Sequence, residues 1–318
     1  MKQKVFSIRV VIVTFMVVSC LFMSAFSPWN TAREVMQELA AALSETYDRT
    51  EEDRQQNEAR VHSTYLRSLA LENLQGSTTR LPVLAYHQVL SPYWYYPVNA
   101  ANPWVLSKQT FEAQMRYLYE NGYSTINAAQ LAGFLHRGEA LPPNAVMITF
   151  DDGYLDNAVY AYPIMKEFGF TGIIFVITSF LADEPGSLRA YPAQFMYAAD
   201  MERIGGVFEF GSHTHDMHRH VNGRPMLPGE SVESIRDDLR QSFAHDFMSI
   251  DAGFAYPYGR HSANAVSALQ AEGVPFAFAT HYGYVEQGLD IFRLPRFSIT
   301  RDIGAEQFSR KVSGAWRR

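Results

Sequence analysis

Short apolar runs alternate with longer amphipathic stretches from residue 81 to the end of the chain. Runs of this kind are typical of strands that are buried on both faces, and apolar residues at helical spacing indicate the helices between them. The predicted strands cover residues 83–86, 123–126, 146–150, 173–177, 207–210, 254–256, 276–279 and 292–299, and predicted helices cover residues 108–120, 155–168, 230–247 and 263–272. This alternation predicts a mostly parallel α/β domain over residues 81–318. Seven or eight such units favour a barrel over an open sheet.

The first 30 residues have the pattern of an export segment. Lys2, Lys4 and Arg9 precede an uncharged apolar run over residues 10–26. A run of about 17 residues is at the short end for a bilayer span. An uncleaved membrane anchor is therefore the favoured prediction, and a lipoprotein modified on Cys20 and a cleaved signal are the alternatives. All three place the rest of the chain outside the cytoplasm.

Residues 31–80 are predicted to form a helical stalk and a linker. Residues 31–75 contain no Gly and no Pro, and Thr31 and Glu34 have the spacing of a capping box. The polar stretch over residues 50–60 interrupts the apolar seam, which makes a coiled coil the weaker interpretation. A short linker begins at Gly76.

Composition restricts the chemistry that the domain can support. The chain has 318 residues, a net charge of −6 and one Cys. A single Cys excludes an intramolecular disulfide and every multi-Cys metal site, so a metal would have to be held by His and carboxylates. The negative net charge gives no basic field for a nucleic-acid partner.

Two adjacent carboxylates follow the predicted strand over residues 146–150. Asp151 and Asp152 precede Gly153, which permits a sharp turn. Catalytic groups gather at the carboxyl ends of the strands in a barrel. Because neighbouring like charges push their pKa values apart, one carboxylate can bind a metal while the other acts as a base. A turn with two solvated acids is the alternative interpretation.

A histidine cluster follows the predicted strand over residues 207–210. Four of the ten His lie within eight residues, at His213, His215, His218 and His220. Two imidazoles with one carboxylate can hold Zn²⁺ and leave a coordination position open. Because residues i and i+2 share one face of a strand, spacing alone pairs His213 with His215. A group of surface histidines is the alternative interpretation.

Two further segments lie near the ends of predicted strands. The turn from Tyr256 through Pro257 and Tyr258 can direct a backbone N–H at a developing oxyanion and place aromatic rings beside a sugar. Taken alone, the segment fits an ordinary aromatic turn equally well. Arg296 could bring a guanidinium to the same rim or form a structural salt bridge. Taken with the carboxylates and the histidines, these features predict a metal-assisted hydrolase.

The motifs at residues 149–153 (TFDDG) and 212–218 (SHTHDMH) resemble the first two motifs of the polysaccharide deacetylases with NodB homology. Residues 81–89 (LPVLAYHQV) and 254–259 (FAYPYG) are similar to the branch of that family that deacetylates poly-β-1,6-N-acetylglucosamine. The resemblance covers residues 81–299. It implies a distorted (β/α)₇ barrel that releases acetate from an extracellular N-acetylglucosamine polymer.

The resemblance also implies a role for individual residues. Asp151 would be the general base, and the backbone N–H of Tyr258 would face the oxyanion. The metal ligands would be Asp152, His213 and His218, with His215 as the alternative ligand. Zn²⁺ is the favoured metal, but Co²⁺ and Ni²⁺ suit the same ligands.

The chain departs from the family pattern at two positions. The last motif of the family usually reads Leu-x-x-His, whereas residues 294–297 read LPRF, so no His stands at the usual place of the general acid. Ala255 stands where the third motif often has an Arg. His281, His87 and Arg296 are the side chains that could reach the rim instead. The residues expected to bind the substrate are Tyr256, Pro257, Arg296 and His281.

The sequence leaves three interpretations of function open. The favoured one is deacetylation of poly-β-1,6-N-acetylglucosamine by a protein tethered to the membrane through its N-terminal segment. Peptidoglycan is the alternative polymer, and the aromatic segment at residues 92–97 (PYWYYP) suits glycan stacking in either case. The third interpretation is a glycan-binding relative that has lost catalysis.

Overall fold

A curled sheet of parallel strands forms the centre of the computed structural model, which describes residues 77–91, 102–184 and 193–317. The strands, numbered along the chain, are β1 (Val83–Tyr86), β2 (Gln88–Leu90), β3 (Val105–Ser107), β4 (Ser124–Thr125), β5 (Ala145–Asp152), β6 (Gly172–Val176), β7 (Phe208–Ser212), β8 (His220–Val221), β9 (Arg224–Pro225), β10 (Phe254–Ala255), β11 (Ala277–Phe278) and β12 (Phe297–Ser298). The main sheet has the order β11-β10-β7-β6-β5-β1-β12, and β4 pairs with the start of β5.

Helices cover the outside of this sheet. The α-helices are α1 (Lys108–Glu120), α2 (Ala128–Arg137), α3 (Tyr162–Phe168), α4 (Ala198–Ile204), α5 (Val232–Phe243), α6 (Ala263–Ala271) and α7 (Ala305–Val312). Local signals start several of them. Ser107 caps α1 by accepting the backbone N–H of Thr110, and Asn127 and Gln130 form a capping box at the start of α2.

The two ends of the sheet approach each other through the segment before β12. Leu294 forms a parallel bridge with Phe278 of β11, and Phe297 of β12 pairs with Leu84 of β1. The sheet is therefore curled, as the predicted barrel requires. All strand pairs of the main sheet are parallel, so their carboxyl ends lie at one edge.

Alternate residues of β5 face two different apolar cores. Ile148 and Phe150 belong to a cluster with Phe111 and Met115 of α1, whereas Met147 belongs to a second cluster with Ile173, Phe175 and Phe278. All eight residues of β5 are buried. Burial of each large apolar side chain contributes about 1.5–3 kcal/mol, so β5 is anchored firmly from both sides. The carboxylates at its end are thus attached to a rigid element.

The structure confirms the alternation of strands and helices but changes several bounds. β1 and α1 have the predicted bounds. The predicted helix over residues 155–168 is a π-helical turn at Asn157–Ala161 followed by α3. The predicted strand over residues 292–299 is wrong except at β12, because Pro295 lacks an N–H for ladder pairing. The helices α2, α4 and α7 were not predicted.

The predicted export segment, the predicted stalk up to residue 76 and the aromatic segment at residues 92–97 lie outside the described residues. Within the part of the chain that the structure describes, no helix combines the length and apolar character needed to cross a membrane.

Gly211 provides a test of how tightly β7 packs just before the histidine cluster. A Cβ at Gly211 would lie 2.7 Å from Cε1 of Phe175 and 2.8 Å from the carbonyl oxygen of Gly253. We expect Gly211→Ala to lower the free energy of unfolding by about 1–3 kcal/mol, the usual cost of overpacking. Urea unfolding would measure this change. Gly206→Ala is the matched control, since a Cβ there meets no atom within 4 Å, and an equal loss in both variants would contradict the packing described.

Candidate active site

A cavity of about 350 Å³ opens at the carboxyl edge of the sheet. The cavity is lined by residues that form or follow the carboxyl ends of β1, β5, β7 and β10, among them His87, Asp151, Asp152, His213, His218 and Tyr258. Two other cavities of the described residues, of about 480 and 360 Å³, are larger. Neither contains a carboxylate pair or a histidine cluster, so the smaller cavity is the candidate site.

Asp152, His213 and His218 form a cluster that could hold a metal ion. The Nε2 atoms of both histidines lie 3.5 Å from Oδ1 of Asp152, and the three ligand atoms lie within 4.8 Å of one another. Oδ1 of Asp152 is buried and has no hydrogen-bond partner among the described residues. A buried carboxylate oxygen without a donor is costly unless a cation occupies the site. The donor set therefore fits a divalent metal.

Both imidazoles are prepared for metal binding. Nδ1 of His213 is 2.7 Å from the carbonyl oxygen of Ala255, so this nitrogen carries the proton and Nε2 keeps its lone pair toward Asp152. Burial, together with the neighbouring His213, lowers the pKa of His218 to about 4. His218 is consequently neutral at neutral pH, which is the form that binds metals.

A turn after β7 decides which histidines meet. Thr214 has a left-handed backbone with φ of 78°, and its N–H donates to Oγ of Ser212. The carboxylate of Asp238 on α5 accepts the next two backbone N–H groups, at His215 and Asp216. This turn breaks the two-residue period of the strand.

The pairing of His213 with His215 expected from spacing is therefore wrong. Nδ1 of His215 lies 3.0 Å from Oγ1 of Thr178, and His215 is not part of the ligand cluster. The structure brings His218 to His213 and Asp152 instead, as the family resemblance implies.

Arg296 forms a bidentate ion pair with Asp151. The two guanidinium nitrogens lie 2.7 and 2.8 Å from the two carboxylate oxygens, and Nε donates to the carbonyl oxygen of Ala279. Burial disfavours ionised Asp151, but the guanidinium of Arg296 is the largest opposing influence, and the pKa of Asp151 is held well below its usual range. Asp151 is thus ionised and fixed in orientation at neutral pH.

This ion pair corrects the prediction that Arg296 binds substrate. The side chain of Arg296 is 0% exposed and lies behind Asp151, so it cannot reach the cavity. It supplies the guanidinium that Ala255, at the position of the family's usual Arg, does not provide. Arg296 is a positioning residue for Asp151.

Of the three side chains considered as replacements for the missing His, only His87 lines the cavity. Its Nε2 lies 4.0 Å from Oδ2 of Asp151, and its ring packs against Trp104 at a centroid distance of 4.5 Å. His281, in contrast, is exposed and lines the cavity of about 360 Å³, so the structure does not place it with the predicted substrate-binding residues.

The turn after β10 contributes two tyrosines to the cavity. Tyr258 has φ of 56°, and its ring packs between His218 and His220 at centroid distances of 4.4 Å to each. Its hydroxyl donates to the carbonyl oxygen of His218 at 3.3 Å. Tyr256 lines the cavity from a buried position, whereas Pro257 is buried and does not line it. Tyr258 therefore supports the loop that carries the candidate metal ligand His218.

Several cavity residues were not singled out by the sequence analysis, among them Trp104 and Gln88. Trp104 is 39% exposed at one wall, and Gln88 follows His87 on the same side. The signal for Gln88 was a polar pair directly after the fully apolar strand β1. Trp104 carried no such signal, because its position depends on the pairing of β2 with β3.

Comparisons with known proteins agree with this geometry. Residues 138–277 match the family model described as polysaccharide deacetylase. YxkH of Bacillus subtilis strain 168, provisionally named a polysaccharide deacetylase, is 28% identical over 229 residues, which cover 72% of this chain and 75% of that protein. The poly-beta-1,6-N-acetyl-D-glucosamine N-deacetylase of Staphylococcus epidermidis is 23% identical over 62% of this chain and 68% of its own length.

A solved structure shows the same fold. Streptococcus pyogenes deacetylase PplD, in complex with acetate, superposes with a TM-score of 0.61 at 21% identity. The match covers 74% of this chain and 99% of that one.

The ligand cluster makes a specific prediction about metal binding. We expect the purified protein to bind one divalent ion, and Asp152→Ala, His213→Ala and His218→Ala each to weaken binding at least 100-fold, because each removes one of three ligands. Titration with Zn²⁺ followed by calorimetry would measure the affinity. His215→Ala is the matched control and should bind as the unmodified protein does. Weakened binding in His215→Ala alone would overturn the assignment of ligands.

Proposed function

The chain carries a polysaccharide deacetylase domain, and we propose that it removes acetyl groups from the N-acetylglucosamine units of an extracellular polysaccharide. The observation that carries the proposal is one arrangement of side chains: Asp151, held by Arg296, lies beside the metal-binding cluster in an open cavity. We further propose that the polymer is poly-β-1,6-N-acetylglucosamine and that the N-terminal segment tethers the enzyme outside the cytoplasm.

The name of the Staphylococcus epidermidis relative supports this polymer. The cavity is also suited to a glycan, because Trp104 and Tyr258 are each 39% exposed at its walls. Exposed aromatic rings offer apolar faces on which sugar rings stack. The substrate class proposed is therefore an acetylated amino sugar within a chain.

A divalent metal on Asp152, His213 and His218, for which we propose Zn²⁺, would polarise the acetamide carbonyl and lower the pKa of a water molecule. The remaining chemistry falls to the side chains around these ligands. Asp151 is ionised and has its orientation fixed by Arg296, so it can accept the proton of the attacking water. The backbone N–H of Tyr258 would donate to the oxyanion of the tetrahedral intermediate.

Departure of the amine needs a proton, and we propose that His87 donates it. His87 lines the cavity within 4.0 Å of Asp151, so one acid and one base flank the same space. The packing of Trp104 against the imidazole fixes the plane of the ring. The products are acetate and a glucosamine unit with a free amino group.

Acetate release from oligomers of β-1,6-linked N-acetylglucosamine tests the proposal. We expect the full-length protein to release acetate, and chelation of the metal to abolish release until Zn²⁺ is restored. Asp151→Asn and His87→Gln should each lower kcat by about 10²–10⁴-fold, the usual contribution of a general base or acid, while Zn²⁺ binding persists.

Peptidoglycan fragments provide the second substrate in the same assay. Preferential release of acetate from peptidoglycan would identify peptidoglycan as the substrate in place of poly-β-1,6-N-acetylglucosamine. Absence of acetate from both polymers, in a protein that still binds Zn²⁺, would contradict deacetylation and favour the glycan-binding interpretation.

Arg296 predicts a change in pH dependence. The guanidinium holds the pKa of Asp151 down against burial, so Arg296→Gln should raise this pKa. Because the base acts in its ionised form, the acid limb of the profile of kcat/KM against pH should move to higher pH. Arg296→Lys keeps a positive charge and should move the limb less. An unmoved limb in a folded Arg296→Gln protein would contradict the role assigned to the ion pair.

A further inference from the structure

Gln88 lies in the wall of the cavity, and neither the metal cluster nor the acid and base uses it. It is the first residue of β2 and directly follows His87. Its side chain lines the same cavity as Asp151 and Asp152, while the residue as a whole is only 8% exposed. A buried amide at this position is a polar group whose two ends need partners.

Asp156 fixes which end of the Gln88 amide faces the cavity. Its carboxylate is 1% exposed and accepts three N–H groups: Nε2 of Gln88 at 3.0 Å, the backbone N–H of Val89 at 2.9 Å and Nδ2 of Asn157 at 2.8 Å. An ionised carboxylate only accepts hydrogen bonds, so the amide cannot turn its oxygen toward Asp156. Among the described residues, Oε1 of Gln88 has no hydrogen-bond partner.

Asn157 strengthens this arrangement from the other side. Its Nδ2 also donates to the carbonyl oxygen of His87 at 2.8 Å. Asp156 and Asn157 therefore hold the chain segment from His87 to Val89 at three points. Burial raises the pKa of Asp156 to about 7, so its carboxylate form predominates at pH 8.

We propose that Oε1 of Gln88 accepts a hydrogen bond from the N–H of the acetamide in the substrate, and that Asp156 is the positioning residue that keeps this acceptor turned toward it. The inference rests on the proposed function and deepens it, because it names the group that distinguishes N-acetyl from O-acetyl substrates. An acetamide has an N–H donor where an acetate ester has an oxygen that only accepts. An ester at this position would place two acceptors against each other and leave both without a donor.

The size of the effect follows from the cost of one hydrogen bond. Loss of a typical hydrogen bond lowers affinity or rate by about two- to tenfold, and a site that leaves a buried polar group unpaired rejects the wrong substrate more strongly. Removal of the Gln88 amide should therefore lower kcat/KM for the acetamide by about tenfold. It should not lower kcat/KM for the ester, because there the substitution removes an acceptor that opposes the ester oxygen.

The experiment compares two oligomers of β-1,6-linked sugars that differ only at C2, one with acetamido groups and one with acetoxy groups. Release of acetate by the full-length, Zn²⁺-loaded protein is measured at pH 8 for Gln88→Met and Asp156→Asn. Gln114→Met is the matched control, because Gln114 is also a buried glutamine, but its Oε1 accepts the hydroxyl of Tyr86 away from the cavity. Thermal unfolding and Zn²⁺ binding are measured for each variant.

Gln88→Met should lower the ratio of acetamide to ester activity about tenfold, and Gln114→Met should leave the ratio unchanged. Asp156→Asn should lower the ratio further than Gln88→Met. Its amide oxygen can still accept from Val89 and Asn157, so its NH₂ group faces Gln88. The Gln88 amide would then turn and present a donor to the substrate, which suits the ester.

An equal loss on both substrates in Gln88→Met, or an unchanged ratio in Asp156→Asn, would overturn the inference. Failure of the proposed function would give a different result, because the unmodified protein would then release no acetate from the acetamido oligomer.

Discussion

The ion pair between Asp151 and Arg296 is the interaction on which the rest of the site depends. It joins the end of β5 to the segment before β12. The strands β5 and β12 pair with opposite edges of β1. Burying two charges costs several kcal/mol per ion before their attraction is counted, and apolar residues of similar volume often stabilise a core better. Stability alone therefore does not account for this pair. What it provides is a carboxylate whose pKa is held well below its usual range and whose orientation is fixed, in a buried position that would otherwise favour its neutral form.

Left-handed backbone geometry at three non-glycine residues distributes the reactive groups around the cavity. Asp152 has φ of 77°, Thr214 of 78° and Tyr258 of 56°, and each follows the carboxyl end of a strand or forms it. Such conformations cost of order 1–3 kcal/mol each and persist only where the surrounding structure enforces them. In β5, the period of two would turn neighbouring residues to opposite faces of the sheet. The turn at Asp152 lets two adjacent carboxylates serve one cavity, one beside Arg296 and the other beside the histidines.

Local pattern was sufficient for the longer buried strands but not for the short strands or for the contacts between distant segments. The apolar runs predicted β1, β5, β6 and β7 and the polar groups at their ends, because burial on both faces leaves a clear signal. The two-residue period of the strand predicted His215 as the second histidine ligand. The turn that excludes His215 could not be predicted locally, because it depends on Asp238, which lies 23 residues further along the chain. Arg296 was open to two interpretations for the same reason, because its partner is 145 residues away. The family resemblance supplied His218, which no rule of spacing could have selected.

Two polar groups that line the cavity, His213 and Gln88, each have their orientation determined by a hydrogen-bond partner behind them. The carbonyl oxygen of Ala255 takes the proton of His213 and leaves Nε2 for the ligand cluster. Asp156 takes the N–H₂ end of Gln88 and leaves its oxygen. These partners lie on rigid or buried elements, so the donors and acceptors are in place before a substrate arrives, and no reorganisation is needed during the reaction. The chemical selectivity of the site consequently depends on residues behind the cavity wall, where a substitution could change what the site accepts without removing any group that lines the cavity.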